Sequence, residues 1–148
     1  MAAGLALASA PAAADFPSQG HLDELRGCLA NMDNPELCIG AIYDPCFATV
    51  EHLGPATCFA GERWAWYEII RDVFAEVEAD LARADAAAGD NRQVSKLHAA
   101  QSAWVEHRNA DCAMRAAMAG ENEDVVNASC TMRHTAERAI ELKALRDE

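Results

Sequence analysis

The chain has 148 residues, of which 51% are hydrophobic and 24% charged, a size and composition typical of one globular domain with its own core. Aspartate and glutamate number 24 against 12 for lysine and arginine, so the formal net charge is −12. Such a charge repels phosphate backbones, and we therefore expect no nucleic-acid partner. No apolar run approaches the roughly 20 residues needed to cross a bilayer, so we also expect no transmembrane segment.

The first 14 residues, MAAGLALASAPAAA, are small and apolar and end in the Ala-x-Ala pattern that signal peptidases cut. We predict a signal peptide over residues 1–14 and a soluble, periplasmic or secreted mature protein that begins at Asp15. The segment lacks the basic residue usual at the start of such peptides. Two alternatives therefore stay open: a true start further upstream, or an alanine-rich tail.

Six cysteines in a short chain with an export signal indicate three disulfides. Each pair of consecutive cysteines has its midpoint at or beside residues that favour a turn. The midpoints are residues 33, 52 and 121, and the turn residues are Asn34-Pro35, Gly54-Pro55 and Gly120-Glu121-Asn122. Two helices that leave a turn bring residues equally distant from it face to face. A metal site is the alternative, but CxxC pairs are absent and the spacing suits zinc poorly, so we predict no metal. The predicted bridges are Cys28–Cys38, Cys46–Cys58 and Cys112–Cys130.

The long segments are rich in Ala, Glu, Leu and Arg and lack β-branched alternation, a pattern that predicts helices. We predict an all-α fold: a disulfide-stapled helical bundle with short N-terminal helices followed by three long antiparallel helices. The long helices are expected from about Glu62 to near Gly89, from Arg92 to Ala119 and from Asn122 to Arg146. We expect a Cys-rich short-helix region over residues 15–61 and a helical domain over residues 62–148.

The second long helix carries an unusual stripe. Its members, spaced i, i+3, i+7 and i+11 on one face, are Gln101, Trp104, Arg108 and Cys112. Burying a glutamine and an arginine beside a tryptophan is costly unless both polar groups find partners. We therefore predict that Arg108 is a buried clamp, paired with a carboxylate or with helix carbonyls. The alternative is an arginine that faces a ligand beside an aromatic plate.

The same helix carries a family signature. Residues 97–112, LHAAQSAWVEHRNADC, resemble the pattern L-x-x-A-Q-x-x-W-x-x-[YF]-R-[DN]-x-x-C of the LprI-like lysozyme-inhibitor family. His107 departs from the usual aromatic ring, and Asn109 stands where aspartate is common. Upstream, the region from Cys58 through Glu62 to Trp66 is also similar to the family. The closing pattern C-x(4)-T-x-x-R-x-x-x-L is matched by Cys130, Thr135, Arg138 and Leu142.

The resemblance implies a small helical, disulfide-stapled envelope protein, and the family's named member inhibits lysozyme. Since c-type lysozymes are basic, a chain of charge −12 would be steered towards them. The first long helix has a candidate docking surface, an acidic ridge with one carboxylate at every fourth residue. Its residues are Glu68, Asp72, Glu76 and Asp80. The alternative is an ordinary solvated helix face.

Motifs of common enzyme classes are missing, including G-x-S-x-G, H-E-x-x-H and a phosphate-binding glycine loop. With all six cysteines paired, no thiol nucleophile remains. We therefore predict no enzyme activity, no catalytic residue and no cofactor. The sequence favours an exported binding protein that inhibits a basic lysozyme-type cell-wall hydrolase. The alternative is a structural or adaptor helical module that binds another envelope protein without inhibitory activity.

Overall fold

The computed structural model describes residues 16–49 and 53–147, and this part of the chain is helical, with no strand. The all-α prediction is confirmed, while the predicted signal peptide lies outside the described residues. None of the described helices has the length and apolar composition required to span a membrane. The α-helices are α1 (Gln19–Asn31), α2 (Tyr43–Thr49), α3 (Gly54–Ala88), α4 (Arg92–Met118) and α5 (Glu123–Asp147), with 3-10 turns at Pro35–Cys38 and Gly120–Asn122.

The three long helices run up, down and up, with short turns between them. The first of them, α3, begins at Gly54 and not near Glu62 as predicted, because Pro55 falls in its first turn, where a missing N–H is tolerated. It ends at Ala88 and is capped by Gly89, whose left-handed φ of 73° suits a residue without a Cβ. The starts and ends of α4 and α5 lie within one residue of the predicted ones.

The core lies mainly between α3 and α5, which pack together along much of their length. An apolar stripe on α3 is buried, and small residues such as Ala136 and Ala139 on α5 let the two helices approach closely. By contrast, α4 contributes only Leu97 to this core cluster of the described residues. The buried α3 side chains in the cluster are Ala65, Trp66, Ile69, Ile70, Val73 and Val77.

The structure joins the six cysteines in the predicted pairs. Cys28–Cys38 ties α1 to the first 3-10 turn, Cys46–Cys58 ties α2 to α3, and Cys112–Cys130 ties α4 to α5. Their Cα–Cα distances are 5.9, 5.7 and 5.5 Å, within the ordinary range for disulfides. Every helix is therefore covalently linked to a neighbouring element.

Glu62 of α3 is fully buried and holds the segment before α2 in place. One of its carboxylate oxygens, Oε1, accepts hydrogen bonds from the Gly40 amide (2.7 Å) and from Trp66 Nε1 (3.0 Å). The other, Oε2, accepts from the amides of Ile42 (3.1 Å) and Tyr43 (2.7 Å). Four donors thus satisfy a charge that would otherwise be costly to bury. We call this arrangement the Glu62 clasp.

A second buried carboxylate, Asp85, fixes the turn between α3 and α4. Its oxygens accept from the amides of Gln93 (3.1 Å) and Val94 (2.9 Å) in the first turn of α4. Burial raises the pKa of Asp85, but the hydrogen bonds from these amides outweigh it and the pKa lies below its usual value. Asp85 therefore acts as an N-terminal cap of α4, although it belongs to α3.

Candidate functional site

The polar residues of the family signature meet around the ring of Trp104, between α4 and α5. Arg138 of α5 donates from Nε to Gln101 Oε1 (3.0 Å) and from Nη1 to Glu141 (3.2 Å). Its guanidinium carbon lies 6.0 Å from the centre of the Trp104 ring, and its side chain is only 14% exposed. Arg138 is therefore an interhelical clamp that holds α4 against α5.

The prediction that Arg108 is the buried clamp is wrong. Its Nε and Nη2 donate to Asn109 Oδ1 (3.1 and 2.9 Å), and its guanidinium carbon lies 4.9 Å from the centre of the Trp104 ring. In the described part of the chain no carboxylate lies within salt-bridge distance of it. The physical reason is that Arg138 already satisfies Gln101, whereas Arg108 stays partly exposed to water. The geometry agrees with the alternative, in which Arg108 lies over the face of an aromatic ring.

Two further signature residues of α5 are buried in the bundle. Thr135 donates from Oγ1 to the backbone oxygen of Thr131 (2.6 Å), which satisfies its hydroxyl within the helix. Leu142 is fully buried in the core cluster. Both residues therefore support packing between helices and offer no group to a partner.

The four acids predicted as a docking ridge are each paired with an arginine. Asp72 binds Arg26 of α1 (2.7 Å), and Glu76 binds Arg146 of α5 (2.7 Å). The other two pairs, Glu68 with Arg71 and Asp80 with Arg83, lie within α3. The ridge therefore carries less uncompensated charge than the spacing of its acids implies. Its role in docking stays a prediction.

Beside the Cys112–Cys130 disulfide lies a polar cluster that the sequence did not predict. Asp111 Oδ2 lies 2.8 Å from Arg115 Nε and 2.9 Å from His134 Nε2. The hydrogen bond from Arg115, followed by that from His134, lowers the pKa of Asp111. The potential metal-binding atoms of Asp111, Cys112, Cys130 and His134 lie within 4.8 Å of one another. Both sulfurs are in the disulfide, so only a carboxylate and an imidazole remain for a metal.

The family model for the lysozyme inhibitor LprI matches residues 48–142. This chain belongs to the LprI family. The matched range covers well over half of the chain and includes the whole of α3 and α4 and most of α5. Searches of curated proteins and of solved structures found no significant match.

In this LprI family member, α3 and α4 enclose a cleft of about 350 Å³ lined by Arg63, Trp64, Tyr67 and Arg108. We call it the arginine cleft. Burial, together with the positive charge of Arg63, lowers the pKa of Arg108, while Tyr67 opposes this shift. The sequence reasoning singled out Arg108 but missed the other three residues. Their positions at i, i+1 and i+4 on α3 are the signal that could have indicated a shared face.

Proposed function

We propose that this protein is an exported inhibitor of a basic lysozyme-type cell-wall hydrolase and has no enzymatic activity of its own. The observation that carries the proposal is the match of residues 48–142 to the lysozyme inhibitor LprI family. The net charge of −12 supports it, since complementary charge accelerates the encounter with a basic enzyme.

Export is supported by the three disulfides, which persist in oxidising compartments such as the periplasm or the extracellular medium. The Ala-x-Ala pattern at residues 12–14 would direct cleavage before Asp15. Mass spectrometry of the protein recovered from the periplasm or medium of an expressing bacterium tests this. A mature N-terminus at Asp15 is expected, and retention of the full chain in the cytoplasm would contradict export.

A turbidity assay tests inhibition directly. Purified oxidised protein is mixed with c-type, g-type or i-type lysozyme, and the clearing of a cell-wall suspension is followed over time. We expect slower clearing with at least one basic lysozyme, in proportion to the inhibitor concentration and less strongly at high salt. Undiminished clearing by all three types would refute the proposal.

The acidic ridge is proposed to steer association. Asp72 and Glu76 bind arginines of other helices and should be left intact, so the test reverses Glu68 and Asp80 to lysine. The control reverses two exposed acids outside the ridge, Glu106 and Glu121. We expect a slower association rate with weaker salt dependence for the ridge variant. Equal rates for both variants would show that net charge alone steers the encounter.

The competing function is a helical module that joins other envelope proteins without inhibiting a hydrolase. One observation favours it: Met114 and Met118, at the end of α4, are 50% and 80% exposed, as methionines at adaptable contact surfaces often are. This function predicts no effect in the turbidity assay. It also predicts that replacing both methionines by serine removes the binding of its partner, whereas the inhibitor function predicts unchanged inhibition.

A further inference from the structure

The arginine cleft brings together two arginines that have no internal counter-ion in the described part of the chain. Six other arginines lie within salt-bridge distance of a carboxylate: Arg26, Arg71, Arg83, Arg115, Arg138 and Arg146. Among the described residues, the other four arginines have no such carboxylate, although the chain has 24 acids: Arg63, Arg92, Arg108 and Arg133. Of these four, Arg63 and Arg108 line the same cleft. Like charges in one cleft repel each other, and a bound anion would relieve that repulsion.

The walls of the cleft are aromatic and partly preorganised. Tyr67 is 51% exposed, and Trp64 is partly buried beside it. Arg108 lies over the Trp104 ring and is held by Asn109, so part of its conformational freedom is already lost before any partner binds. Arginine, tyrosine and tryptophan together are the residues that most often dominate the energy of protein–protein interfaces. The cleft therefore has the composition of an interface centre.

We propose that Arg63 and Arg108 bind the catalytic carboxylates of the target hydrolase, so that the arginine cleft closes the enzyme's substrate groove. This inference rests on the proposed function. Glycoside hydrolases generally use a pair of Asp or Glu side chains that flank the scissile bond. One member of this pair, the nucleophile or base, is ionised in the resting enzyme and supplies negative charge at a fixed place in a concave groove. Guanidinium groups bind carboxylates through paired hydrogen bonds, which lysine cannot reproduce.

The test compares two double variants of equal charge. The cleft variant is Arg63→Ala with Arg108→Ala, and the control is Arg92→Ala with Arg133→Ala, two exposed arginines outside the cleft. Each removes two positive charges and so takes the formal net charge from −12 to −14. Long-range attraction to a basic enzyme should therefore not weaken in either variant.

We expect the inhibition constant of the cleft variant to rise about tenfold or more, because two charge-assisted contacts are lost, while the control stays near the wild-type value. Wild-type inhibition should be competitive with a chito-oligosaccharide substrate. Binding measured by calorimetry should also weaken when a catalytic carboxylate of the hydrolase is replaced by its amide.

The outcomes separate this inference from the function on which it rests. Wild-type inhibition that both double variants retain equally, or that is not competitive, would overturn the role of the cleft and leave the inhibitor function intact. No inhibition by the wild-type protein would overturn both. Circular dichroism monitors the fold, and Arg63→Gln with Arg108→Gln replaces the alanine variant if its helicity falls.

Discussion

The N-terminal region, residues 16–49, and the three long helices are held together by different kinds of interaction. In the N-terminal region, α1 has 13 residues and α2 has 7, lengths at which isolated helices are marginal in water. Cys46–Cys58 and the Glu62 clasp fasten this region to α3, and Cys28–Cys38 joins two elements within it. The long helices instead bury a continuous apolar stripe and need a single disulfide. The N-terminal region buries only a few side chains in the core, such as Leu22, Leu25 and Ile42, and adds point attachments to them, whereas the long helices rely on buried area.

Removing the attachments of the N-terminal region should have the largest effect. Replacing Cys28, Cys38, Cys46 and Cys58 by serine should lower the free energy of unfolding by about 5 kcal/mol, because two cross-links no longer restrict the unfolded chain. Replacing only Cys112 and Cys130 should cost about 3 kcal/mol. Urea unfolding followed by circular dichroism measures both.

Hydrogen exchange sharpens the same comparison. In the four-serine variant, the amides of α1 should exchange rapidly while those of α3 and α5 remain protected, because the apolar stripe is untouched. In the variant lacking Cys112–Cys130, α1 should stay protected. If α1 keeps its protection without its disulfides, the region is held by packing and the contrast drawn here is incorrect.

The Glu62 clasp gives the next largest effect. In Glu62→Gln, the amide NH₂ group replaces one acceptor oxygen and faces backbone or indole donors, so two hydrogen bonds are lost and their donors stay buried. We expect the free energy of unfolding to fall by about 3 kcal/mol. The control, Glu106→Gln at an exposed position, should change it by about 0.5 kcal/mol or less. Thermal or urea unfolding measures both changes. Equal stability of the two variants would show that the Glu62 clasp does not hold the N-terminal region in place.

Within the long helices, the two arginines beside Trp104 should differ. Arg138→Ala removes the clamp on Gln101 and should lower the free energy of unfolding by about 2 kcal/mol. Arg108→Ala loses a contact with the ring and exposed hydrogen bonds to the neighbouring Asn109, and it should cost about 1 kcal/mol or less. If urea unfolding shows a larger loss of stability for Arg108→Ala than for Arg138→Ala, Arg108 is the structural clamp and is not available to a partner.

The smallest effect concerns pH and the turn between α3 and α4. Because the folded-state pKa of Asp85 is lowered, its contribution to stability is present above the usual aspartate pKa and is lost as the pH falls through the folded value. The melting temperature of Asp85→Asn should therefore lie below that of the wild type at pH 7, and the difference should shrink below about pH 4. Asp33→Asn, at an exposed position, serves as the control. A difference that does not vary with pH would mean that Asp85 acts through packing.

The sequence predicted the features that depend on local signals. Turn residues at the midpoints of consecutive cysteines indicated the three pairs, and Gly89 and Gly120 marked the ends of the long helices. The Glu62 clasp was beyond such reasoning, because its backbone donors lie about twenty residues earlier in the chain, in a segment without regular spacing. Only the folded chain brings those amides to the carboxylate.

The candidate site shows the same limit. Helical spacing correctly placed Gln101, Trp104 and Arg108 on one stripe of α4. It could not show that Gln101 would pair with Arg138 of α5 and leave Arg108 beside the Trp104 ring. Choosing between Arg108 and Arg138 required the relative position of two helices. The arginine cleft likewise depends on the approach of α3 to α4, which no periodicity within either helix specifies.

The pairing of consecutive cysteines bears on how the protein acquires its covalent structure. The partners are separated by 10, 12 and 18 residues, and no bridge encloses another. In a chain oxidised in order from its N-terminus, the second, fourth and sixth cysteines therefore each meet their native partner as the only unpaired thiol. Closing such short loops is also entropically cheap. Maturation by this route needs an oxidant but no disulfide isomerase.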